Sequence, residues 1–318
     1  MKRNVVEANY ADDRRVLLLS DAAGLGASAR AFHTACRRAR AGRRPAAGVG
    51  AGLARPAVLR GLRPRPVLRR PMRLLRLQHL HRGGAREQLG ASRATYAEAV
   101  LAEVALARRV LGPRDLPVSS VFFGGGTPTL LKPVDLSVVV SALAADFGLA
   151  DGAEITTEAN PDSVTQWDLD DLRAAGFTRI SFGMQSAVPS VLATLDRTHD
   201  PLRVPAAVAW ARAAGFEQVS PDLIYGTPGE SLADWARSLE EALACEPNHV
   251  SAYSLIVEEG TALARRVRRG ELPPPDEDDL ADKYLLADER LTAAGFEWYE
   301  LSNWARTPEA RCRHNLLY

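Results

Sequence analysis

From residue 92 onward, two rhythms of apolar residues alternate along the chain. In "SRATYAEAVLAEVALARRVLG" the apolar positions fall at helical spacing, with Ser92 as an N-cap and Gly112 as the stop. "VSSVFF" then reads as a buried strand, and after the glycine loop "GGGTPTLL" the segment "KPVDLSVVVSALAADFG" reads as a helix. The alternation continues through strand "EITTEAN", helix "WDLDDLRAAG", strand "FTRISFGMQ", helix "RVPAAVAWARAAG" and strand "FEQVSPDLIYG". Helix "SLADWARSLEEALA", strand "HVSAYSLIV", helix "DLADKYLLADERLTAAG" and strand "FEWYELSNW" complete it. Strands separated by helices predict a parallel sheet with right-handed crossovers. Ala-Ala-Gly-Phe recurs at Ala174 to Phe177, Ala213 to Phe216 and Ala293 to Phe296, spaced 39 and then 80 residues, or one and about two β/α units. In each copy the glycine closes a helix in the left-handed conformation and the phenylalanine starts a strand. The repeat favours an α/β fold built as a (β/α) barrel or partial barrel over an open doubly wound sheet.

Working residues of such a barrel gather at the carboxyl ends of its strands. Those ends offer Gly124 to Thr127, then Glu158 and Asn160, Gln185 and Ser186, Asp222 and Tyr225, Tyr253 and Ser254, and Glu300 and Asn303. Each has a structural alternative: the glycines as a tight turn, Glu158 in "EANPDS" as part of a capping segment, Gln185 and Asp222 as hydrogen bonders closing a barrel layer. Gathered at matching strand ends, they predict one central ligand site.

Composition changes this picture only upstream. The net charge of +1 gives no global field toward nucleic acid or membrane, and 46 % apolar residues suffice for a large core. Three cysteines, Cys36, Cys245 and Cys312, are too few and too scattered for a disulfide framework. No apolar run is long enough for a membrane span or a secretory leader, so a cytoplasmic chain without stable membrane insertion is expected. From Ala23 to Arg93, however, there are seventeen arginines, no lysine and one acidic residue, Glu87, in a matrix of Ala, Gly, Pro and Leu. Nucleic-acid arms mix in lysine, serine and aromatic residues, whereas Phe32 stands alone here, so residues 1–91 read as a disordered segment with no nucleic-acid partner.

"VFFGGGTPTLL", "EITTEANPDSVT", "GFTRISFGMQS", "LDRTHDP", "PDLIYGTPGES" and "VSAYSLIVEEGT" resemble, in order, the signatures of the oxygen-independent coproporphyrinogen III oxidase-like group of radical S-adenosylmethionine (SAM) proteins, nearest its heme chaperone branch. The resemblance covers residues 92–318 and implies a partial (β/α)6 barrel of TIM type, incomplete at its first strand. It implies that Gly125, Gly126 and Thr127 hold the methionine amino end of SAM and that Glu158 and Gln185 make polar contacts. Arg197 then pairs with the SAM carboxylate, and Asp222 takes the ribose hydroxyls. It further implies a [4Fe-4S] cluster that delivers an electron to SAM, cleaving it to a 5′-deoxyadenosyl radical. The implied partners are heme or a porphyrinogen, with a heme-acceptor protein in the chaperone branch. "RCRHNLLY" resembles a His-Asn-x-x-Tyr-Trp segment of that branch, making His314 a candidate heme contact beside its plainer reading as a surface or capping residue. In the family a tryptophan and then a C-terminal domain follow this segment, so a barrel core truncated at Tyr318, before that domain, is expected.

One departure bears on mechanism. The family holds its cluster through Cys-x3-Cys-x2-Cys upstream of the glycine loop, and "RPRPVLRRPMRLLRLQHLHRGGAREQLGASRATY" contains no cysteine. Whether the chain is an enzyme is therefore left open, and no metal ligand or catalytic residue is assigned. A GC-rich coding region read out of frame yields the observed Arg, Ala, Gly, Pro and Leu, so residues 1–91 are expected to be mistranslated or disordered, with the frame restored near Ser92. The function expected is that of a heme chaperone impaired by its missing cluster ligands. The alternatives are an oxygen-independent coproporphyrinogen III oxidase of porphyrin biosynthesis and an inactive remnant.

Overall fold

A computed structural model describes residues 93, 95–112 and 117–317. The arginine-rich segment, Cys36, the Ser92 cap and Tyr318 lie outside the described residues. Helix α1 (Tyr96–Leu111) ends where expected, with Gly112 at φ 69° donating its N–H to the Arg108 carbonyl. Strand β1 (Val118–Phe123) is buried on both faces, as its near-continuous apolar run requires. Helix α2 (Pro133–Phe147) starts on a proline, whose fixed φ and missing N–H suit a first helical turn. Strand β2 (Leu149–Ala159) is followed by α3 (Gln166–Ala174), which Thr165 and Asp168 cap reciprocally. Strand β3 (Arg179–Gln185), helices α4 (Pro189–Thr194) and α5 (Arg203–Ala213), strand β4 (Gln218–Tyr225) and helix α6 (Leu232–Ala244) come next, α6 carrying a Ser231–Asp234 capping box. Strand β5 (His249–Ser254), helices α7 (Ala262–Arg268) and α8 (Glu277–Ala293), and strands β6 (Glu297–Glu300) and β7 (Asn303–Ala305) end the order. The short helices α4 and α7 have no counterpart in the sequence reading, because two turns carry too few apolar positions to show a period.

The Ala-Ala-Gly-Phe copies do what their recurrence predicts. Gly176, Gly215 and Gly295 have φ of 95°, 92° and 85°. In each copy the phenylalanine N–H reaches back to the carbonyl five residues earlier, Phe177 to Leu172, Phe216 to Ala211 and Phe296 to Leu291. That bond reverses the chain and drops the ring into the core, where the three phenylalanines are buried.

The seven described strands form one sheet in the order β1-β2-β3-β4-β5-β7-β6, with β1 through β5 parallel and in sequence. This is a curled half-barrel. The final stretch departs from expectation, for "FEWYELSNW" is a hairpin rather than a sixth parallel strand. Ser302 at φ 67° reverses the chain, and β7 pairs antiparallel with both β5 and β6. Asn303 seals the turn by donating to the Leu301 carbonyl and the Glu300 carboxylate. Among the described residues no helix is long and apolar enough to cross a membrane.

Candidate functional site

Inside the curl, every second residue of β2 to β5 points inward, and the sequence makes those positions polar. They are Thr156 and Glu158 on β2, Arg179 and Ser181 on β3, Ser220 and Asp222 on β4, and His249 and Ser251 on β5. A closed TIM-type barrel fills these layers with branched apolar side chains. Here they enclose a cavity of about 380 Å³.

At the mouth the glycine loop follows β1. A Cβ on Gly124 would lie 2.2 Å from the Phe122 ring and 3.1 Å from the Glu158 carboxyl carbon, so only glycine fits between them. Gly125 and Gly126 take φ of 84° and 61°. The Gly125 N–H donates to Glu158 Oε2 at 2.7 Å, a charge-assisted bond that ties the loop to β2. Glu158 thus serves the loop as well as facing the cavity.

Strand β3 ends in a bulge that places buried Gln185 at φ 61°, a left-handed conformation uncommon outside glycine. Gly183 makes room for it, because a Cβ there would sit 2.7 Å from the Gln185 carboxamide nitrogen. Arg197 reaches the wall from the turn after α4, and burial lowers its pKa from the usual arginine value without removing its charge. Asp222 is half-buried, and its carboxyl is pushed up to about 7, first by burial and then by the neighbouring Glu158 charge, against the hydroxyls of Ser181 and Ser251.

The structure therefore brings Gly126, Thr127, Glu158, Gln185, Arg197 and Asp222 to one cavity, with Gly125 bonded directly behind it. Asn160, Tyr253 and Ser254 also line it. Four other strand-end residues do not. Ser186 bonds Ser238, Tyr225 packs on Trp235 at 5.3 Å between ring centroids, and Glu300 and Asn303 sit in the hairpin. His314 is buried and stacked on Phe122, 4.0 Å between centroids at 14°, outside the lining. Thr156, Arg179, Ser220 and His249 were absent from the sequence reading, although a period of two in polar residues within otherwise apolar strands marks them.

The family model of the Radical SAM superfamily matches residues 87–242. Residues 87–242 form a radical SAM domain. The match begins close to the change of composition near Ser92. Among curated relatives, the heme chaperone HemW of Mycobacterium tuberculosis is 55 % identical over 221 residues, 69 % of this chain and 56 % of that protein. The mitochondrial radical S-adenosyl methionine domain-containing protein 1 of Bos taurus is 40 % identical over 201 residues, 63 % of this chain and 45 % of that one. The chain spans about half the length of these relatives. Of solved structures, coproporphyrinogen III oxidase (HemN) from Escherichia coli, a radical SAM enzyme, matches at a TM-score of 0.66 and 26 % identity, covering 76 % of this chain and 57 % of that chain.

The radical SAM family implies SAM and a [4Fe-4S] cluster. The residues fit the first. SAM is a cation that also carries hydroxyls and a carboxylate, and the cavity lining offers two acidic side chains, Glu158 and Asp222, and one guanidinium, Arg197. They do not fit the second. Cys245 sits at the end of α6 donating to the Glu241 carbonyl, while Cys312 is buried against Glu154 with its thiol pushed up to about 12 by burial first and that charge second. A cluster needs thiolates, which such surroundings disfavour. Among the described residues no group of three His, Cys, Asp or Glu side chains is arranged to hold a metal ion, and the complete sequence has no cysteine pair at cluster spacing.

Proposed function

We propose that this chain is the SAM-binding half-barrel of a heme chaperone of the HemW type which, as encoded, binds its ligands without radical chemistry. The observation that carries the reading is the 55 % identity to the Mycobacterium tuberculosis heme chaperone over 221 residues, 69 % of this chain. The Gly125–Thr127 loop receives the methionine amino end with its backbone groups, Gly125 and Gly126 supplying the left-handed conformation that presents them. Arg197 faces the SAM carboxylate, Asp222 accepts from the ribose hydroxyls, Gln185 adds its carboxamide, and Glu158 holds the loop closed. Beside a reducing cluster, bound SAM supplies radical chemistry; this chain's own residues bind and orient it.

Heme ligation by His314 requires a nitrogen of its ring, buried and stacked on Phe122, to become accessible. The likeness to the Escherichia coli oxidase favours a second reading, an oxygen-independent coproporphyrinogen III oxidase, for which the missing cluster ligands weigh equally against turnover. Residues 1–91 are, on this reading, a frame-shifted product, with 92–318 the barrel. The nucleotide sequence upstream of Ser92 tests this: Cys-x3-Cys-x2-Cys in another frame is expected, and its absence from every frame removes the explanation.

Calorimetry with SAM and a hemin titration followed by the absorption band test the function. Saturable binding of both, with no decarboxylation of coproporphyrinogen III, is expected. Binding of neither leaves an inactive remnant. An unchanged hemin band in His314→Ala takes that residue out of the site.

A further inference from the structure

The lower half of the cavity holds polar groups that the SAM contacts do not use. Arg179 lies at the amino end of β3, six residues or about 20 Å of strand from Gln185 at the mouth. Its side chain is 2 % exposed. Nε donates to Glu154 Oε2 at 3.0 Å and Nη2 to the Ala310 carbonyl at 2.8 Å, while Nη1 has no hydrogen-bond partner. Thr156 is its direct cross-strand neighbour on β2, 1 % exposed, and the Thr156 hydroxyl is likewise unpartnered. Both residues line the cavity.

The neighbouring Glu154 and His249 are both already engaged. The other Glu154 oxygen accepts from the Arg313 N–H at 2.8 Å and faces the Cys312 thiol, so the carboxylate is anchored by the C-terminal segment and cannot swing across to Nη1. His249 has both ring nitrogens engaged, Nδ1 with Ser220 Oγ at 2.8 Å and Nε2 with the Tyr299 hydroxyl at 2.7 Å. Two buried donors on adjacent strands, in residues that both line the cavity, thus lack a partner, each costly to leave unpaired.

We propose that this floor is a second binding subsite, which takes a carboxylate on Arg179 Nη1 and the Thr156 hydroxyl. A guanidinium edge beside a hydroxyl suits the two oxygens of a carboxylate. The group comes either from a free small carboxylic acid or from the acid side chain of a tetrapyrrole, and the second source rests on the heme-chaperone reading.

Saturation-transfer NMR on the full chain with propionate and with propionamide, its neutral counterpart, reads the subsite directly. Propionate is expected to bind saturably and propionamide not. Arg179 substitutions strand Glu154 and risk unfolding, so the test variant is Thr156→Val, with circular dichroism and the melting temperature as fold controls. It is expected to weaken propionate about tenfold, the loss of one hydrogen bond to a charged group. Hemin and hemin dimethyl ester, titrated in parallel, separate the sources: a tetrapyrrole acid group requires the ester to bind more weakly and Thr156→Val to affect hemin alone. Propionate binding without hemin binding supports the subsite with a free acid and ends the heme reading. No saturable propionate binding, equal binding of propionamide, or an unchanged affinity in Thr156→Val overturns the subsite whatever hemin does.

Discussion

Binding of SAM should depend on pH through Asp222, and the size of the effect follows from the cavity. Burial and the Glu158 charge hold the Asp222 carboxyl at about 7 in the free protein. A ligand that offers hydroxyl donors and carries a cationic sulfonium binds the ionised form, so protonated protein must release its proton first. The apparent dissociation constant then scales as one plus ten to the power (pKa − pH). Relative to the high-pH limit, affinity is about 11-fold weaker at pH 6, about twofold at pH 7 and nearly unchanged at pH 8. At pH 7 about half a proton is released per ligand bound, which calorimetry in buffers of different ionisation heat measures. The α-amine of SAM titrates near 7.7–8.0 as well, so the informative quantity is the difference between wild type and Asp222→Asn, from which the ligand's own titration cancels. A wild-type affinity flat from pH 6 to 8, or an identical slope in Asp222→Asn, refutes the reasoning.

The same carboxyl costs stability when ionised. Its folded pKa is raised above the unfolded value, so its contribution is most favourable in acid and is lost as pH rises toward 7. Asp222→Asn should therefore raise the melting temperature more at pH 8 than at pH 5, a gain on the order of 2 kcal/mol at pH 8, while weakening SAM binding; no gain at pH 8 argues against a strained carboxyl. Gly226→Ala should destabilise by about 1–3 kcal/mol, because a Cβ there would lie 1.9 Å from Leu280 Cδ2 and φ is 79°; urea unfolding with an unchanged midpoint counts against it. Lys283 is fully buried, donating to the Glu230 carbonyl and pairing with Asp279, with its ammonium 3.9 Å from the Glu230 carboxylate. Lys283→Ala leaves that carboxylate uncompensated and should cost about 3–5 kcal/mol, with Glu230→Gln in the same chain recovering part; a double variant no better than the single one contradicts the pairing.

Much of the scaffold could be read from local chemistry. Ala-Ala-Gly-Phe, Thr165 with Asp168 and Ser231 with Asp234 act within one helix end, so their hydrogen bonds are decided by residues adjacent in sequence. The hairpin at Ser302 was missed because nothing in "FEWYELSNW" carries a glycine or proline, and only pairing with β5 makes the left-handed serine worthwhile. At the site, motif residues were found where they line the mouth, yet Tyr225 and Ser186 turned outward, since one residue of register exchanges the two faces of a strand.

What the amino-acid sequence alone determined is therefore the order of strands and helices, the glycine loop, the identity of the mouth residues and the absence of a cysteine triplet. The tertiary structure decided which polar residues share an interior. Glu154, Thr156, Arg179 and His249 lie up to 95 residues apart and meet only when parallel strands come into register. The physical reason is that capping and turn formation depend on neighbours along the chain, whereas the burial that raises Asp222 and leaves Arg179 Nη1 unpartnered depends on strands brought together by crossovers.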